Sequence, residues 1–581
     1  MSSRIPYGLT NFKRLREEGY YYVDKTAYIR KLEDRSLFTF FVRPRRFGKS
    51  LFIDMLRCYY DISEKDNFQT LFGSLDIGKN PTESANRFLV LVLDFSMVNV
   101  GYGQTLEEKF EVHLSQRLDD FLFRYSAIFD SNYISSLQTA TANKKFTSIL
   151  SRIKSLGHSF YLIIDEYDNF TNEMLRASLS PDYRSITHGT GFYRNWFKVF
   201  KGTCDRIFMT GVSPVTMDDL TSGFNIATNL SQEEDFNAML GFSEEEVVRM
   251  YSDFKGTGEF TEGDPTDIVR RLKPYYDGYC FAEGKIGRES VFNSDMALYY
   301  LKSLVHDGCP PGTMLDVNIR TDYDKLQAIA DIQKQLRADT AEDVMPITEE
   351  LATTGQIAFD LVDSFPAEKI AEEANFKSLF FYYGILSMSS REKGHVVYRV
   401  PNVCIKRQLF DYIRNAYNRT RSLDWGEWNS LATAFAYDGD WRPFLERLAS
   451  DFAATTPVRG GIQGEIRIQG YMQAEFGHLK YYLMAPEMEL SRGFTDFALF
   501  PERVYYGDCP HSYLIELKFS AANASDDEIE KKHREAVEQL AAYRADRFVP
   551  SLAAGTMLHQ LVFQFRGPEC VCMQEIAAEQ L

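Results

Sequence analysis

Residues 43–50, Arg-Pro-Arg-Arg-Phe-Gly-Lys-Ser, end in the Gly-Lys-Ser tripeptide of a phosphate-binding loop. At the start of a following helix, backbone N–H groups favour phosphate, Lys49 can reach the β- and γ-phosphates, and Ser50 can hold Mg²⁺. Arg43 stands where the first glycine is expected, and Gly-Lys-Ser also recurs by chance in long chains. The residues expected to bind nucleotide here are Arg45, Arg46, Gly48, Lys49 and Ser50.

A second acidic motif, Asp165-Glu166, follows the apolar run 160–164. Asp165 could bind the Mg²⁺ shell and Glu166 could position a water molecule, although acidic pairs after strands are also common surface turns. The order along the chain is a Lys-Ser loop, an intervening strand, a strand ending in Asp-Glu, and Thr210 at the end of a further strand. This order is that of a sensor-bearing ATPase core, and it favours nucleotide binding over chance.

A third group of charged residues lies near the carboxyl end. In the predicted strand 512–519, Glu516 and Lys518 are two residues apart and project from one face. Asp496, in the preceding predicted strand, could join Glu516 in binding a hard cation such as Mg²⁺, while Lys518 orients or activates a water molecule. The alternative is a solvated hairpin in which Glu516 and Lys518 pair with each other.

Two flanking features favour the cation site over the hairpin. Glu475, in the helix predicted just before these strands, could supply a further carboxylate ligand. On the predicted helix that follows, Gln539 and Tyr543 are four residues apart and share one face.

The elements that must position these residues can be predicted from hydrophobic periodicity. Near-continuous apolar strands separated by helical stretches indicate an α/β domain with a parallel sheet covered on both faces. Its strands are predicted at 36–42, 88–93, 160–164 and 207–212. A mainly helical middle follows, in which 376–417 reads as helix, hairpin and helix, similar to a winged helix. The last third predicts an α/β arrangement with a helix at 466–479, strands at 495–500 and 512–519, and a helix at 526–545.

Length and charge constrain the organisation further. A chain of 581 residues is too long for one core, and we expect three domains, at 1–230, 231–460 and 461–581. The net charge of -17 disfavours a protein that coats nucleic acid by bulk positive charge. Residues 1–60 hold 13 basic and 6 acidic side chains, a local +7, which leaves -24 on the remainder. Any contact with nucleic acid therefore needs a confined patch or a metal site.

The motifs also carry a family resemblance. Tyr20-Tyr-Tyr-Val-Asp-Lys-Thr, the loop 43–50 and Ile163-Ile-Asp-Glu-Tyr-Asp resemble the prokaryotic AAA-ATPase-like family, whose members often carry a C-terminal PD-(D/E)XK nuclease-like domain. That family uses the same arginine-rich loop, and the resemblance covers about residues 4–230. It implies that Tyr22, Asp24 and Lys25 lie near the nucleotide.

Residues 465–575 resemble the PD-(D/E)XK fold, in the branch bearing a Gln-x-x-x-Tyr helix. The proline-aspartate that gives this fold its name is absent, because Phe494 and Thr495 precede Asp496. This departure weakens the match without removing it.

Two main hypotheses about function follow. The first is an ATP-binding protein, expected to be an ATPase, that is coupled to a Mg²⁺-dependent nuclease-like domain acting on DNA or RNA. The alternative is a non-enzymatic, nucleotide-dependent switch or interaction protein with an inactive nuclease-like domain, and a scaffold with two relic sites ranks below both. With no signal peptide and no membrane-spanning run, we expect a cytoplasmic protein that does not bind membranes. The sequence leaves the oligomeric state open, with a homo-oligomer as one option.

Overall fold

The computed structural model describes residues 4–98, 105–169, 192–215, 227–261, 263–311, 313–316, 347, 351, 354–366, 369–370, 372–409, 425–455, 464–490, 493–503, 505–544 and 549–577. The chain divides into two compact units. The first comprises Met1–Glu342 with Ala358–Val403, and the second Asp343–Ile357 with Cys404–Leu581. The three-domain division of the sequence stays a prediction.

A parallel sheet forms the centre of the first unit, as the apolar runs predict. Its strands are β1 (Phe38–Val42), β2 (Phe88–Asp94), β3 (Ser159–Asp165), β4 (Arg206–Gly211) and β5 (Thr228–Asn229). They lie in the order β2-β3-β4-β1-β5, and every pairing is parallel. Because parallel strands share the same carboxyl edge, the residues that follow β1, β3 and β4 meet there.

Helices surround this sheet and extend into the middle of the chain. Ser243 and Glu246 form the capping box expected from their spacing, and the helix they begin buries Val247, Met250, Tyr251 and Phe254. The helices described in the first unit are Phe12–Glu17, Tyr28–Glu33, Lys49–Tyr60, Phe68–Phe72, Asp76–Lys79, Leu106–Arg124, Ser131–Leu137, Ala142–Ser155, Phe192–Thr203, Glu244–Gly256, Pro265–Tyr276, Ser294–Asp307 and Glu373–Tyr382.

After β6 (Gln356–Ala358), a hairpin is formed by β7 (Ser387–Glu392) and β8 (His395–Arg399). The helix Glu373–Tyr382 precedes it and a helical segment at 403–409 follows it, so the predicted order of helix, hairpin and helix is present. Lys393 and Gly394 form the turn between the two strands, and both have positive φ, as a type I′ hairpin loop requires.

The second unit is built on a five-stranded mixed sheet. Its strands are β9 (Tyr482–Leu490), β10 (Gly493–Pro501), β11 (His511–Ser520), β12 (Met557–Arg566) and β13 (Glu569–Glu575), in the order β13-β12-β11-β10-β9. Only β11 and β12 pair in parallel. Its helices are Trp425–Tyr437, Trp441–Thr455, Gly464–Gly477, Asp526–Arg544 and Val549–Leu552.

Both faces of this sheet are covered. On one face Phe497, Ile515 and Leu517 belong to a core shared with the three helices between 425 and 477. On the other, Ala498 and Leu514 pack against the helix Asp526–Arg544. None of the helices that the structure describes is long and apolar enough to cross a membrane.

Candidate functional site

The loop after β1 has the backbone geometry of an anion-binding turn. Arg46 and Gly48 both have positive φ, at 68° and 92°, and the helix Lys49–Tyr60 begins directly afterwards. Its N-cap residue, Gly48, has no side chain with which to cap the first N–H groups of that helix. Unsatisfied helix N-terminal amides together with the helix dipole form a site for phosphate.

Arg43 occupies the position of the missing first glycine and has a structural role. Its side chain is 2% exposed and donates hydrogen bonds to the carbonyls of Ser231 (2.6 Å) and Phe236 (3.0 Å). The guanidinium also lies 4.1 Å from the ring centroids of Phe41 and of Phe281. Arg43 therefore anchors the loop to the segments that follow the sheet.

Lys49, Ser50, Asp165 and Glu166 meet at the carboxyl edge of the sheet. The Lys49 ammonium donates to the carbonyls of Arg43 (3.0 Å) and Pro44 (3.1 Å), and burial lowers its pKa. The Ser50 hydroxyl donates to the Asp165 carboxylate at 2.8 Å. Burial, reinforced by neighbouring Glu166, raises the pKa of Asp165 to about 6.

The strand ends beside these residues are held rigidly. The buried Asp168 carboxylate accepts hydrogen bonds from the Ser213 amide (2.9 Å) and hydroxyl (3.0 Å), which ties the end of β3 to the end of β4. Thr210 donates to the Phe41 carbonyl at 2.6 Å. Gly211 is required here, since an added Cβ would lie 2.3 Å from the Asp168 carboxylate.

A cavity of about 350 Å³ opens over the loop, within the size range of small-molecule sites. Its polar wall contains Arg45, Arg46, Gly48, Lys49, Ser50 and Glu166, and its apolar wall includes Leu9, Tyr22, Met239, Met250 and Leu298. Lys25 also lines it and pairs with Glu246 at 2.7 Å. Asp24 is not part of the cavity wall and accepts hydrogen bonds from Thr26 and the Asp76 amide.

Asp496 and Glu516 meet across β10 and β11. Phe497 pairs with Ile515 in this antiparallel ladder, so Asp496 and Glu516 are the next opposed positions and share one face. The Asp496 carboxylate accepts hydrogen bonds from the Leu517 amide (2.8 Å) and from Gln469 (3.1 Å). Its orientation is thereby fixed toward β11.

The Glu516 carboxylate is buried with 2% exposure. One of its oxygens accepts a hydrogen bond from Lys518 at 2.8 Å, and the other, Oε2, is buried without a hydrogen-bond partner among the described residues. Burial, together with Asp496, raises the pKa of Glu516 to about 8, while Lys518 opposes the shift. The pKa of Tyr543 is also raised, mainly by burial and further by both carboxylates.

The remaining residues predicted for this site are less directly engaged. Gln539 is partly buried, and its Oε1 has no hydrogen-bond partner among the described residues. Glu475 is buried on the helix Gly464–Gly477, and no three His, Cys, Asp or Glu side chains in the described ranges converge to hold one metal ion. The structure therefore brings Asp496, Glu516 and Lys518 together but does not add Glu475 to them.

Family models match both regions of the chain that contain these sites. A family model described as predicted AAA-ATPase matches residues 6–221, and a model of the PD-(D/E)XK nuclease superfamily matches residues 463–575. The chain joins an AAA-ATPase-like domain to a PD-(D/E)XK superfamily domain. The resemblance drawn from the sequence is confirmed in both parts.

One curated relative of this chain is an uncharacterized protein in the vnfD 5′ region of Azotobacter chroococcum mcd 1, which is 25% identical over 301 residues. The match covers 47% of this chain, and the chain spans about half of that relative's length (53%).

Two solved Aeropyrum pernix structures also align. ORC1 in complex with DNA has a TM-score of 0.24 at 9% identity, covering 69% of this chain and 91% of that chain. ORC2 in its ADPNP-ADP complexes has a TM-score of 0.25 at 11% identity, covering 65% and 87%. TM-scores this low bear on neither fold nor function.

Some residues at the two sites were not found from the sequence. In the PD-(D/E)XK domain Gln469 donates a hydrogen bond to Asp496, and nothing in the spacing of the polar residues on its helix singles it out. In the AAA-ATPase-like domain Phe47 anchors the loop on Tyr279 and Phe281, with ring centroids 4.9 and 5.6 Å away. This contact is the packing that the aromatic segment around Tyr279 provides.

Proposed function

We infer that this protein binds ATP in its AAA-ATPase-like domain and uses its PD-(D/E)XK domain as a Mg²⁺-dependent phosphodiesterase on DNA or RNA. ATP hydrolysis, and control of cutting by nucleotide, belong to the same proposal. The observation that carries the nuclease assignment is the buried, unsatisfied oxygen of Glu516 beside Asp496.

Nucleotide binding is supported by the contents of the cavity over the loop. The Lys49 ammonium donates hydrogen bonds to two carbonyl oxygens of the loop. A bound phosphate oxygen would accept hydrogen bonds from the same ammonium. The Ser50–Asp165 pair is the arrangement that holds Mg²⁺ beside a nucleotide, and Glu166 is positioned to orient water. The apolar wall around Tyr22, Met239 and Leu298 suits a flat base.

A divalent cation fits the second site because two carboxylates of like charge, buried Glu516 and partly buried Asp496, approach each other. Lys518 offsets only part of that charge, and the orphaned oxygen of Glu516 lacks the partner that buried polar atoms normally have. Mg²⁺ is commonly held by one or two carboxylates, with water completing its shell. When bound it would supply Lewis-acid stabilisation of a phosphodiester and a more acidic water.

The protein's own residues would act around that cation. Asp496 and Glu516 would hold it, with the Leu517 amide and Gln469 fixing Asp496. Lys518 would orient the attacking water and stabilise negative charge on the scissile phosphate. Tyr543, on the helix Asp526–Arg544, would donate a hydrogen bond from its hydroxyl to the backbone of the bound strand.

The alternative function is a nucleotide-dependent switch with an inactive nuclease-like domain. One observation favours it: Glu516 already has a lysine partner, so a cation is not its sole source of charge compensation. Metal binding separates the two functions.

Calorimetry on the full chain tests both sites. We expect ATP to bind with Mg²⁺ and binding to be lost in Lys49→Ala but retained in Lys201→Ala, a control on a helix away from the cavity. We expect Mn²⁺ without nucleotide to bind wild type and not Glu516→Gln. Tight ATP binding with no Mn²⁺ binding would support the switch and contradict the nuclease.

A further inference from the structure

The start of the helix Ser294–Asp307 lies directly against the phosphate loop. The Ser294 hydroxyl donates to the Arg46 carbonyl at 3.2 Å, and an added Cβ on Gly48 would lie 3.9 Å from the same hydroxyl. Ser294 and Asp295 both line the cavity, 248 residues away from Arg46 in the chain. The phosphate loop and the beginning of this helix are therefore in direct contact.

The helix presents a negative charge to the cavity. The Asp295 carboxylate lies 3.8 Å from the Arg46 guanidinium, and Oδ2 is buried and accepts no hydrogen bond in the described structure. Asn293 already accepts hydrogen bonds from the amides of Asp295 and Met296. A ligand in the cavity therefore meets the carboxylate of Asp295 rather than these capped helix amides.

Arg46 is held in a conformation that it would not adopt freely. Its φ of 68° lies in the left-handed region, which disfavours a residue with a Cβ, and such residues cluster at ligand clamps. A triphosphate on the loop would attract the Arg46 guanidinium. The two anions compete for one cation, because a guanidinium that turns toward phosphate must weaken its contact with Asp295.

We propose that Arg46 pairs with Asp295 in the nucleotide-free protein and transfers to the triphosphate on binding, which releases the start of the helix Ser294–Asp307. This inference rests on the proposed nucleotide binding and adds its regulation. Asp295 lowers the affinity for nucleotide, because it competes with the triphosphate for Arg46. Through this pair, nucleotide binding at the loop releases the start of the helix Ser294–Asp307.

A double-mutant cycle on the full chain tests whether Arg46 transfers from Asp295 to the nucleotide. Asp295→Asn should tighten binding of a non-hydrolysable ATP analogue by about three- to tenfold, and Arg46→Ala should weaken it by a similar factor. In the Arg46→Ala background, Asp295→Asn should change affinity by less than about twofold. Asp267→Asn is the matched control, because Asp267 pairs with Arg270 on an exposed helix away from the cavity, and it should leave affinity unchanged.

Hydrogen exchange provides a readout that a structural role alone would not change. Amides at the start of the helix Ser294–Asp307 should exchange faster when the analogue saturates the wild type, and this response should disappear in Arg46→Ala. Slower hydrogen exchange at these amides would contradict the proposed change of partner by Arg46. A gain in affinity from Asp295→Asn that persists in the Arg46→Ala background would contradict it as well. Absence of binding to wild type would refute the proposed function itself, whereas binding that depends on Lys49 but not on Asp295 would refute this inference alone.

Discussion

Replacing Glu516 by glutamine changes the charge at the centre of the PD-(D/E)XK domain and preserves its size. In the metal-free protein the folded-state pKa of Glu516 is about 8, against an ordinary value of 4.5. Between these values the folded state holds a proton that the unfolded state has lost, so the stability of the wild type falls as pH rises. The glutamine variant lacks this titration and should lose less stability over the same range.

The size of the effect follows from the same two values. One pKa unit corresponds to about 1.4 kcal/mol. The difference between the folded and the unfolded pKa of Glu516 therefore changes the free energy of unfolding by at most roughly 5 kcal/mol. The attraction of Lys518 is already contained in this difference, because it lowers the pKa of Glu516. We expect Glu516→Gln to gain about 3–4 kcal/mol relative to wild type between about pH 5 and about pH 9.

Tryptophan fluorescence during chemical unfolding in EDTA measures this difference. Three of the four tryptophans, Trp425, Trp428 and Trp441, belong to the second unit, so the signal reports mainly on that unit. Glu530→Gln, at an exposed position on the helix Asp526–Arg544, is the control and should follow wild type at every pH.

The reasoning would be refuted if wild type and Glu516→Gln kept a constant difference in stability across this pH range. Saturating Mg²⁺ supplies a second check. It should stabilise wild type by about 2.7 kcal/mol at a hundredfold excess over Kd and leave the glutamine variant unchanged.

Three further predictions concern the AAA-ATPase-like unit. Arg43→Met should destabilise it by about 3 kcal/mol or more, measured by denaturant unfolding, because it leaves buried carbonyls without donors. Gly278→Ala should lower Tm, because an added Cβ would lie 2.2 Å from the Pro401 carbonyl oxygen. Gly258→Ala should lower Tm much less, because Gly258 also has positive φ but an added Cβ there would meet open space. The affinity for ATP with Mg²⁺, measured by calorimetry, should fall below about pH 6, because protonation of Asp165 removes the charge that holds the cation.

Much of the fold could be predicted because its strongest signals are local. Apolar runs specify β1 to β4, and the loop and Asp165 follow directly from the ends of two of them. The strands β12 and β13 were missed for a physical reason. The alternation in β12 is broken by His559, Gln560 and Gln564, which are buried because each finds a specific hydrogen-bond partner. A window of sequence does not contain those partners.

The sites could be predicted as far as strand ends and the alternation of side chains place their residues. Asp496 and Glu516 were found because the alternation of side chains along a strand fixes which face each occupies. The role of Arg43 depends on carbonyls at Ser231 and Phe236, and the pairing of Arg46 with Asp295 joins segments 249 positions apart. Such contacts depend on how the chain returns to the sheet, which periodicity does not specify.

Cleavage of nucleic acid tests the central claim most directly. Purified wild type, incubated with Mg²⁺ and ATP, should cut DNA or RNA, with EDTA abolishing cleavage. Glu516→Gln, shown to be folded by a cooperative unfolding transition, should cut at least about a hundredfold more slowly than wild type. Glu530→Gln should cut at the same rate as wild type. Equal cleavage by wild type and Glu516→Gln, or no cleavage of any single- or double-stranded DNA or RNA by wild type, would contradict the account.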